Sequence, residues 1–590
     1  MGTNTGTWIL RAAVLVAVTL AQLLVGAAAL RRTPFLSKAE DDTSPLSGSG
    51  QGLDLNRNLR VHPSEDGSTD LDRYMALPTP EYKWVYNTSY EKHVPLIGSY
   101  TAYSLNLTSQ QWLTEDEAGS CGLWQHDLIV IVPHDLDRTI DTAMLWPTQG
   151  EDPIVLAGDG PTGSDLLLVS TLAVTTKQVV VALFQTPNMP CTFPNDPNPL
   201  NVNMTEDTLV AYAWRRYLDT KHAGDPNDRA FRWPSQVPIT KAVVRAMDAT
   251  QEFLATCEHC GMKQNVPQGW VIFGASKRGW ASWLTAAVDK RVIGVAPVVF
   301  DLLKMSDGFH MWWKNYGGMS FIAKDYYNEG LMGWMDTPEM DAFFALMDPF
   351  VYKDRYAELP KLVISATGDE FFQVTDDHLW WDEMPGPKLM LRAPNADHIE
   401  VTGLTKIVPS LISWVHTLNV ARQKKQAPVL PELSWTLSSE GEGMAQVATI
   451  NVTLDLSGAY KSKPKSVHLR HSHTDPKSGR KDFRWFNLDQ DCALPRLEFY
   501  GSSVCPIQLV WLDDEIQPVA ETQDTVTYSA SMKPPAEGGW AGFYIQFEFP
   551  GHRDVLIVDT TLTVNTQVAI VPDTNPFQPC SGLSCQGNLV

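Results

Sequence analysis

Two periods of apolar and polar residues alternate between residues 76 and 424. Short β-branched or aromatic runs at 127–132, 142–146, 178–184, 270–273, 292–300, 361–366 and 389–392 predict buried strands. Between them, 164–175, 208–217, 239–256 and 405–418 have the spacing of amphipathic helices; in the third, Val243, Val244, Met247 and Phe253 fall on one side. Strands alternating with helices need crossovers, so the pattern predicts an α/β domain with a mainly parallel sheet and helices on both faces. One segment, about 301–360, breaks the rhythm. It is dense in Trp312, Trp313, Tyr316, Trp334, Met335, Phe343 and Phe344. An insertion after a strand sits over the carboxyl edge of such a sheet, where ligands bind. It reads either as a lid with an aromatic substrate wall, in which Trp312 and Trp313 would touch substrate, or as added core.

After a linker at 423–431 the period changes to two. Runs at 448–454, 466–470, 506–512, 525–530, 542–549 and 556–564, separated by Pro, Gly, Asp and Ser, predict an all-β, immunoglobulin-like sandwich over 428–572 and a tail at 573–590. At the other end, residues 8–30 are apolar except for Arg11, Thr19 and Gln22 and finish on small residues, with Ala27 and Ala29 suited to cleavage. Residues 1–29 therefore read as a secretory signal peptide. The alternative is an uncleaved signal anchor, because the stretch is long enough to span a bilayer and Arg31 and Arg32 weaken the charge bias. Residues 30–75, rich in Ser, Gly, Asp and Arg, read as a flexible leader, which leaves 76–424 for the α/β domain.

Composition sharpens the class. A net charge of −22 leaves no basic excess to displace counterions, which argues against nucleic acid or an anionic membrane as partner. Sequons at Asn87, Asn106, Asn203 and Asn451 and an even set of 8 cysteines fit an exported, disulfide-bonded glycoprotein, extracellular and free of the membrane once its signal peptide is removed. Cys257-Glu-His-Cys260 lies at the end of a predicted helix, where no dipole lowers a thiol pKa, and no second Cys/His pair lies nearby in sequence; a structural disulfide is the expectation. Cys492 and Cys505 form the expected local bridge, and Cys580 and Cys585 either pair together or clamp the tail to the body. No metal or organic cofactor is called for.

The chemistry begins at residues 271–284, Val-Ile-Phe-Gly-Ala-Ser-Lys-Arg-Gly-Trp-Ala-Ser-Trp-Leu. An apolar strand, a sharp turn carrying Ser276 and a helix make a nucleophile elbow, and the turn at Gly274 lets backbone pass close. A helix N-cap is the plain alternative for Ser276. Asp369 follows the 361–366 strand, and His398 follows 389–392, so Ser276, Asp369 and His398 occur in hydrolase order. His398 would act as base and Asp369 would orient it, with Glu370, Asp376 and Asp301 as alternative acids. The Lys277 backbone N–H would be one oxyanion donor and Gln149 or Gly150 the second. The elbow departs from Gly-x-Ser-x-Gly in having Arg278 where the second glycine belongs, one residue before Gly279. Lys277 and Arg278 would bind a carboxylate-bearing substrate or assist the oxyanion. Alternatively, Arg278 braces the sheet through Asp289 or Asp301.

These residues closely resemble the PhoPQ-activated pathogenicity-related family, whose eukaryotic branch includes secreted proteins. The resemblance runs through Gln185-Thr-Pro-Asn-Met-Pro190, Glu206-Asp-Thr-Leu-Val-Ala-Tyr212, Gly274-Ala-Ser-Lys-Arg-Gly-Trp280, Asp289-Lys-Arg-Val292, Ala366-Thr-Gly-Asp-Glu-Phe-Phe372, Pro394-Asn-Ala-Asp-His398 and Gly538-Gly-Trp-Ala-Gly-Phe543. It implies an α/β-hydrolase with a C-terminal β domain, and triad roles for Ser276, Asp369 and His398. It supplies no substrate. The Lys-Arg-Gly elbow is also similar to that of glucuronoyl esterases, where a basic residue follows the serine. The expectation is a secreted serine hydrolase of ester or peptide bonds. Its alternative is a non-enzymatic extracellular protein that restrains proliferation through a cell-surface receptor on a hydrolase scaffold.

Overall fold

A computed structural model describes residues 47–49, 69–94, 98–150, 163–196, 198–199, 201–221, 225, 228–263, 265–488, 492, 494–507, 509–551 and 560–590. The signal peptide at 1–29 and most of the leader lie outside the described residues. The leader's last residues are not loose coil. Asp70–Met75 is a short helix with a Thr69 capping box; it buries Leu71 and Tyr74 and pairs Asp72 with Arg355 at 2.7 Å.

The central sheet has ten strands: β1 (Ser47–Ser49), β2 (Lys83–Val94), β3 (Gly98–Gln111), β4 (Leu123–Pro133), β5 (Thr142–Pro147), β6 (Val179–Leu183), β7 (Gly269–Ala275), β8 (Val292–Val298), β9 (Lys361–Ala366) and β10 (Lys388–Ala393). Their order is β1-β2-β3-β4-β6-β5-β7-β8-β9-β10. Strands β5 to β10 run parallel, and β4 meets β6 antiparallel. This exchange of β5 and β6 beside one reversed strand gives an α/β-hydrolase sheet.

Seven helices position the site: α1 (Ser164–Thr176), α2 (Glu206–Thr220), α3 (Gln236–Thr256), α4 (Lys277–Val288), α5 (Met305–Tyr316), α6 (Pro338–Met347) and α7 (Leu404–Lys424). Successive strand side chains point to opposite faces, so neighbours in sequence enter different cores. Leu145, Ile272 and Val363 pack with Val243 and Trp283 on one face. Met144, Val271 and Ile364 pack with Leu172, Leu411 and Trp414 on the other, and that core continues into Ile450, Val452, Phe543 and Phe547 of the C-terminal domain. Each large side chain so buried contributes about 1.5–3 kcal/mol.

The C-terminal domain has the predicted sandwich. One sheet orders Glu432–Glu440, Val447–Asp455, Thr525–Met532 and Ala520–Glu521; the other orders Leu512–Glu515, Ser466–His473, Ala541–Pro550 and Thr561–Asn565. In chain order these are the A-B-E-D and C′-C-F-G sheets of an immunoglobulin-like fold. The strand expected at 506–512 is instead two, Ser502–Pro506 and Leu512–Glu515, with exposed Val510 between them.

Disulfides join Cys257 to Cys260, Cys492 to Cys505 and Cys580 to Cys585, while Cys121 and Cys191 lie buried as thiols. The tail docks on the aromatic insert: Leu589 bridges Met319, and Phe577 lies under Gly317. No helix among the described residues is long and apolar enough to cross a membrane.

Candidate active site

Strands β7, β9 and β10 are parallel, so their carboxyl ends share one edge of the sheet, and the loops that leave them carry Ser276, Asp369 and His398. Ser276 sits directly between β7 and α4 at φ 55°, ψ −126°, a conformation that L-residues avoid unless their surroundings enforce it. Two close approaches enforce it. A Cβ at Gly274 would meet the Arg278 carbonyl oxygen at 2.6 Å, and one at Gly279 would meet the Gly274 and Val298 oxygens at 2.9 Å. Gly279 thus provides the second tight contact, one residue later than the usual pattern, because the 279 position faces β7 and β8 while 278 faces away.

The three side chains form an unbroken line. The Ser276 hydroxyl donates to His398 Nε2 at 2.9 Å, and His398 Nδ1–H donates to both Asp369 carboxylate oxygens at 2.9 Å. Asp369 Oδ1 also accepts from the Phe371 and Phe372 backbone N–H groups at 2.7 and 3.1 Å. The Phe371 ring lies 4.6 Å from the imidazole, between centroids. Asp369 and His398 are buried, whereas Ser276 is partly open. The alternative acids take other partners. Glu370 accepts from the His398 backbone N–H at 3.2 Å, and Asp376 accepts from Gln373 at 2.9 Å. Asp301 is buried behind them, with Oδ1 unpaired among the described residues.

Arg278 corrects two expectations. It does not reach Asp289 or Asp301, since Asp289 pairs with Arg291 at 2.6 Å. Instead it grips Glu206 with both terminal nitrogens at 2.7 and 2.6 Å and donates through Nε to the Thr186 carbonyl. Each of its three guanidinium nitrogens is engaged within the protein, and the side chain is buried. Lys277 Nζ donates to Glu206 at 2.8 Å and to Asp207 at 3.1 Å. Burial opposes the charge on Glu206, yet Arg278 and Lys277 together drag its carboxyl far below the carboxylate range. Burial likewise disfavours charged Lys277, but Asp207 and Glu206 reverse this and raise its pKa. Residue spacing assigns Glu206 and Asp207 no role; two acids opening a helix are their only local signal.

Lys277 is the first residue of α4, where backbone N–H groups lack intrahelical partners. Gln149 and Gly150 follow β5, whose parallel register, Leu145 beside Ile272, carries its end level with the Ser276 turn; Gln149 is exposed. Beside Ser276 lies a cavity of about 530 Å³ of empty space, mouth included, with walls from α4, the insert and the Phe371–Phe372 turn. Trp312 lines it. Trp313 does not; it packs against Gly587 of the tail. The insert is therefore both wall and core, with Phe343 and Phe344 buried in the core. The sequon residues Asn87, Asn106, Asn203 and Asn451 are all exposed, and Asn87 donates to Asn106 at 2.7 Å.

The sandwich reaches this site. Trp485 lies against Gly368, directly before Asp369, and Asn395 exchanges two hydrogen bonds with the Trp511 backbone, at 3.0 and 2.7 Å, three residues before His398.

Residues 71–484 match the family model described as PhoPQ-activated pathogenicity-related protein. The chain belongs to this family. A relative within reach is autocrine proliferation repressor protein A of Dictyostelium discoideum, 30% identical over 523 residues, which cover 88% of this chain and 94% of the relative. Among solved structures, acetyl xylan esterase 1 from a Thermoanaerobacterium species is 15% identical at a TM-score of 0.33, over 58% of this chain and 92% of its own. A glucuronoyl esterase from Solibacter usitatus is 11% identical at 0.32, over 57% and 89%. In this family member the elbow's two cations are both paired within the protein, with Glu206 and Asp207.

Proposed function

We propose that the protein is an exported serine hydrolase that cleaves an ester or peptide bond through an acyl-enzyme on Ser276. What supports the reading is the continuous hydrogen-bonded line from the Ser276 hydroxyl through His398 to Asp369. As Ser276 Oγ bonds to the substrate carbonyl carbon, its proton passes to His398 Nε2, and Asp369 holds the tautomer and stabilises the imidazolium. The Lys277 N–H, with Gln149 or Gly150, receives the oxyanion. His398 then protonates the leaving group as its bond to carbon breaks. Water, deprotonated by the same imidazole, releases the acyl group and restores Ser276. Export rests on the apolar stretch at 1–29, the disulfides and the four exposed sequon asparagines, which we take as glycosylated.

A fluorophosphonate probe tests the enzyme reading. Wild type is expected to label at one serine and Ser276→Ala not at all; equal labelling of both overturns it. The relative's name, covering 94% of its length, favours a second reading: an extracellular signal that restrains proliferation on the hydrolase scaffold. If Ser276→Ala still slows the growth of cells that respond to wild type, signalling does not need catalysis.

A further inference from the structure

The walls of the cavity beside Ser276 are almost wholly apolar: Trp280, Phe300, Phe309, Trp312, Phe371 and Phe372 dominate them. The polar groups that reach it are already committed. Lys277 is neutralised by Glu206 and Asp207, and the Tyr326 hydroxyl donates to Asp207 at 2.9 Å. The Trp280 indole N–H donates to the Met347 carbonyl at 2.6 Å. Among the other wall residues, Trp312 carries a buried indole N–H without a partner among the described residues. A neutral acceptor such as an ester oxygen satisfies an indole N–H; an anion needs a cation or several donors to offset the loss of water.

We infer that the substrate is uncharged near the scissile bond and presents an apolar chain or ring to this cavity, and that the elbow cations do not select a carboxylate. The inference rests on the hydrolase reading and names its substrate class. Two opposing features of the elbow decide it. Two cations follow the nucleophile directly, which would suit an acidic substrate. Both are consumed by two carboxylates on the neighbouring helix α2, so the site faces substrate with no net charge from them. What remains to discriminate substrates is apolar area, which a dry cavity rewards per methylene. The insert supplies much of that area, through Leu302, Met305, Phe309, Trp312, Met319 and Met332. The tail packed behind Met319 therefore fixes the shape of the substrate wall from outside.

The test uses the full-length protein with p-nitrophenyl acetate, butyrate, hexanoate and octanoate, a matched series of alkyl acetates, and p-nitrophenyl hemisuccinate as the carboxylate-bearing counterpart of butyrate. Fluorophosphonate labelling of Ser276 is run on the same sample. In one of the two series, kcat/KM is expected to rise about fourfold per methylene until the cavity is full. The hemisuccinate is expected to be at least about tenfold poorer than butyrate, the scale of leaving a buried charge unpaired. Ala323→Phe, which fills the cavity, is expected to shorten the preferred chain, and Trp312→Ala to lengthen it. Labelling of Ser276 together with flat series, or with preference for the hemisuccinate, overturns this inference and leaves the hydrolase reading standing. Absence of both labelling and hydrolysis overturns both.

Discussion

Two groups of buried charge flank the Ser276 turn, and they are built in opposite ways. On the α2 side, Lys277 and Arg278 face Glu206 and Asp207, two cations against two carboxylates in direct contact. Behind His398, the buried acids Asp301, Asp376, Asp377, Glu370 and Glu400 gather with Asp369, six carboxyls that are not matched one for one by cations; Arg392 pairs with Asp377 at 2.9 Å. In the balanced group the pairing outweighs burial, lowering the Glu206 pKa and raising that of Lys277. In the unbalanced one, burial, reinforced by neighbouring carboxylates, holds Glu370, Asp376 and Glu400 well above the carboxylate range. Asp301 is pushed up to about 7 by burial; Arg392 pulls it back in part, and Asp377 and Asp369 push it further up. Charge survives burial where each ion finds a counter-ion, and otherwise the acid takes up a proton. The first arrangement braces backbone. The second gives the site's hinterland a dependence on pH.

The largest expected effect comes from unbalancing the balanced group. Arg278→Ala strands Glu206 opposite Lys277 alone, at a cost of about 3–5 kcal/mol, read as a fall in the unfolding midpoint. Glu400→Gln removes a carboxyl that is already held neutral and is expected to change stability by less than about 1 kcal/mol. Equal losses at the two places would break the comparison.

The next effect concerns pH. The folded pKa of Asp301 is raised, so its contribution is complete below about 4, the unfolded value, and is lost as pH rises through about 7. Glu206 has the opposite sign. Its folded pKa is depressed, so its contribution is present above the unfolded value and is lost as pH falls below about 4.5. The thermal midpoint is expected to fall from pH 5 to pH 8, and Asp301→Asn to flatten part of that fall. A midpoint that climbs over this range would show the acids to be ionised.

The smallest effect concerns support from the sandwich. Asn395 sits at φ 55°, so Asn395→Gly keeps the turn while deleting both bonds to Trp511. The expected result is roughly tenfold slower fluorophosphonate labelling of Ser276, less than the hundredfold that a misplacement of one ångström costs. No change in labelling would mean that the sandwich does not steady the His398 loop.

Much of this was legible in the chain. The alternation of strands and helices appears where it was expected, and the elbow, the acid loop and the histidine loop leave the ends of β7, β9 and β10. The long strands β2 and β3 were not legible. Strand β3 buries Ser104, Thr108, Ser109 and Gln110 beside its apolar residues, which erases the period of two. The helix Asp70–Met75 was hidden in a polar leader because six residues are too few to show a period. The Arg278 partner was misread for a different reason. Glu206 lies 72 residues away and reaches Arg278 only because α2 and α4 meet over the sheet edge.

The sequence by itself determined what was local: the periods of the elements, the strained Ser276 turn between two glycines, and the order of serine, acid and histidine. Tertiary structure alone decided which charges face each other, that Trp312 enters the cavity while Trp313 supports the tail, and that a β-sandwich holds the loop before His398. Periodicity and turn chemistry are set by neighbours along the chain. Partnership across a fold is set by crossovers and by the demand that buried charge be balanced, and residue spacing records neither.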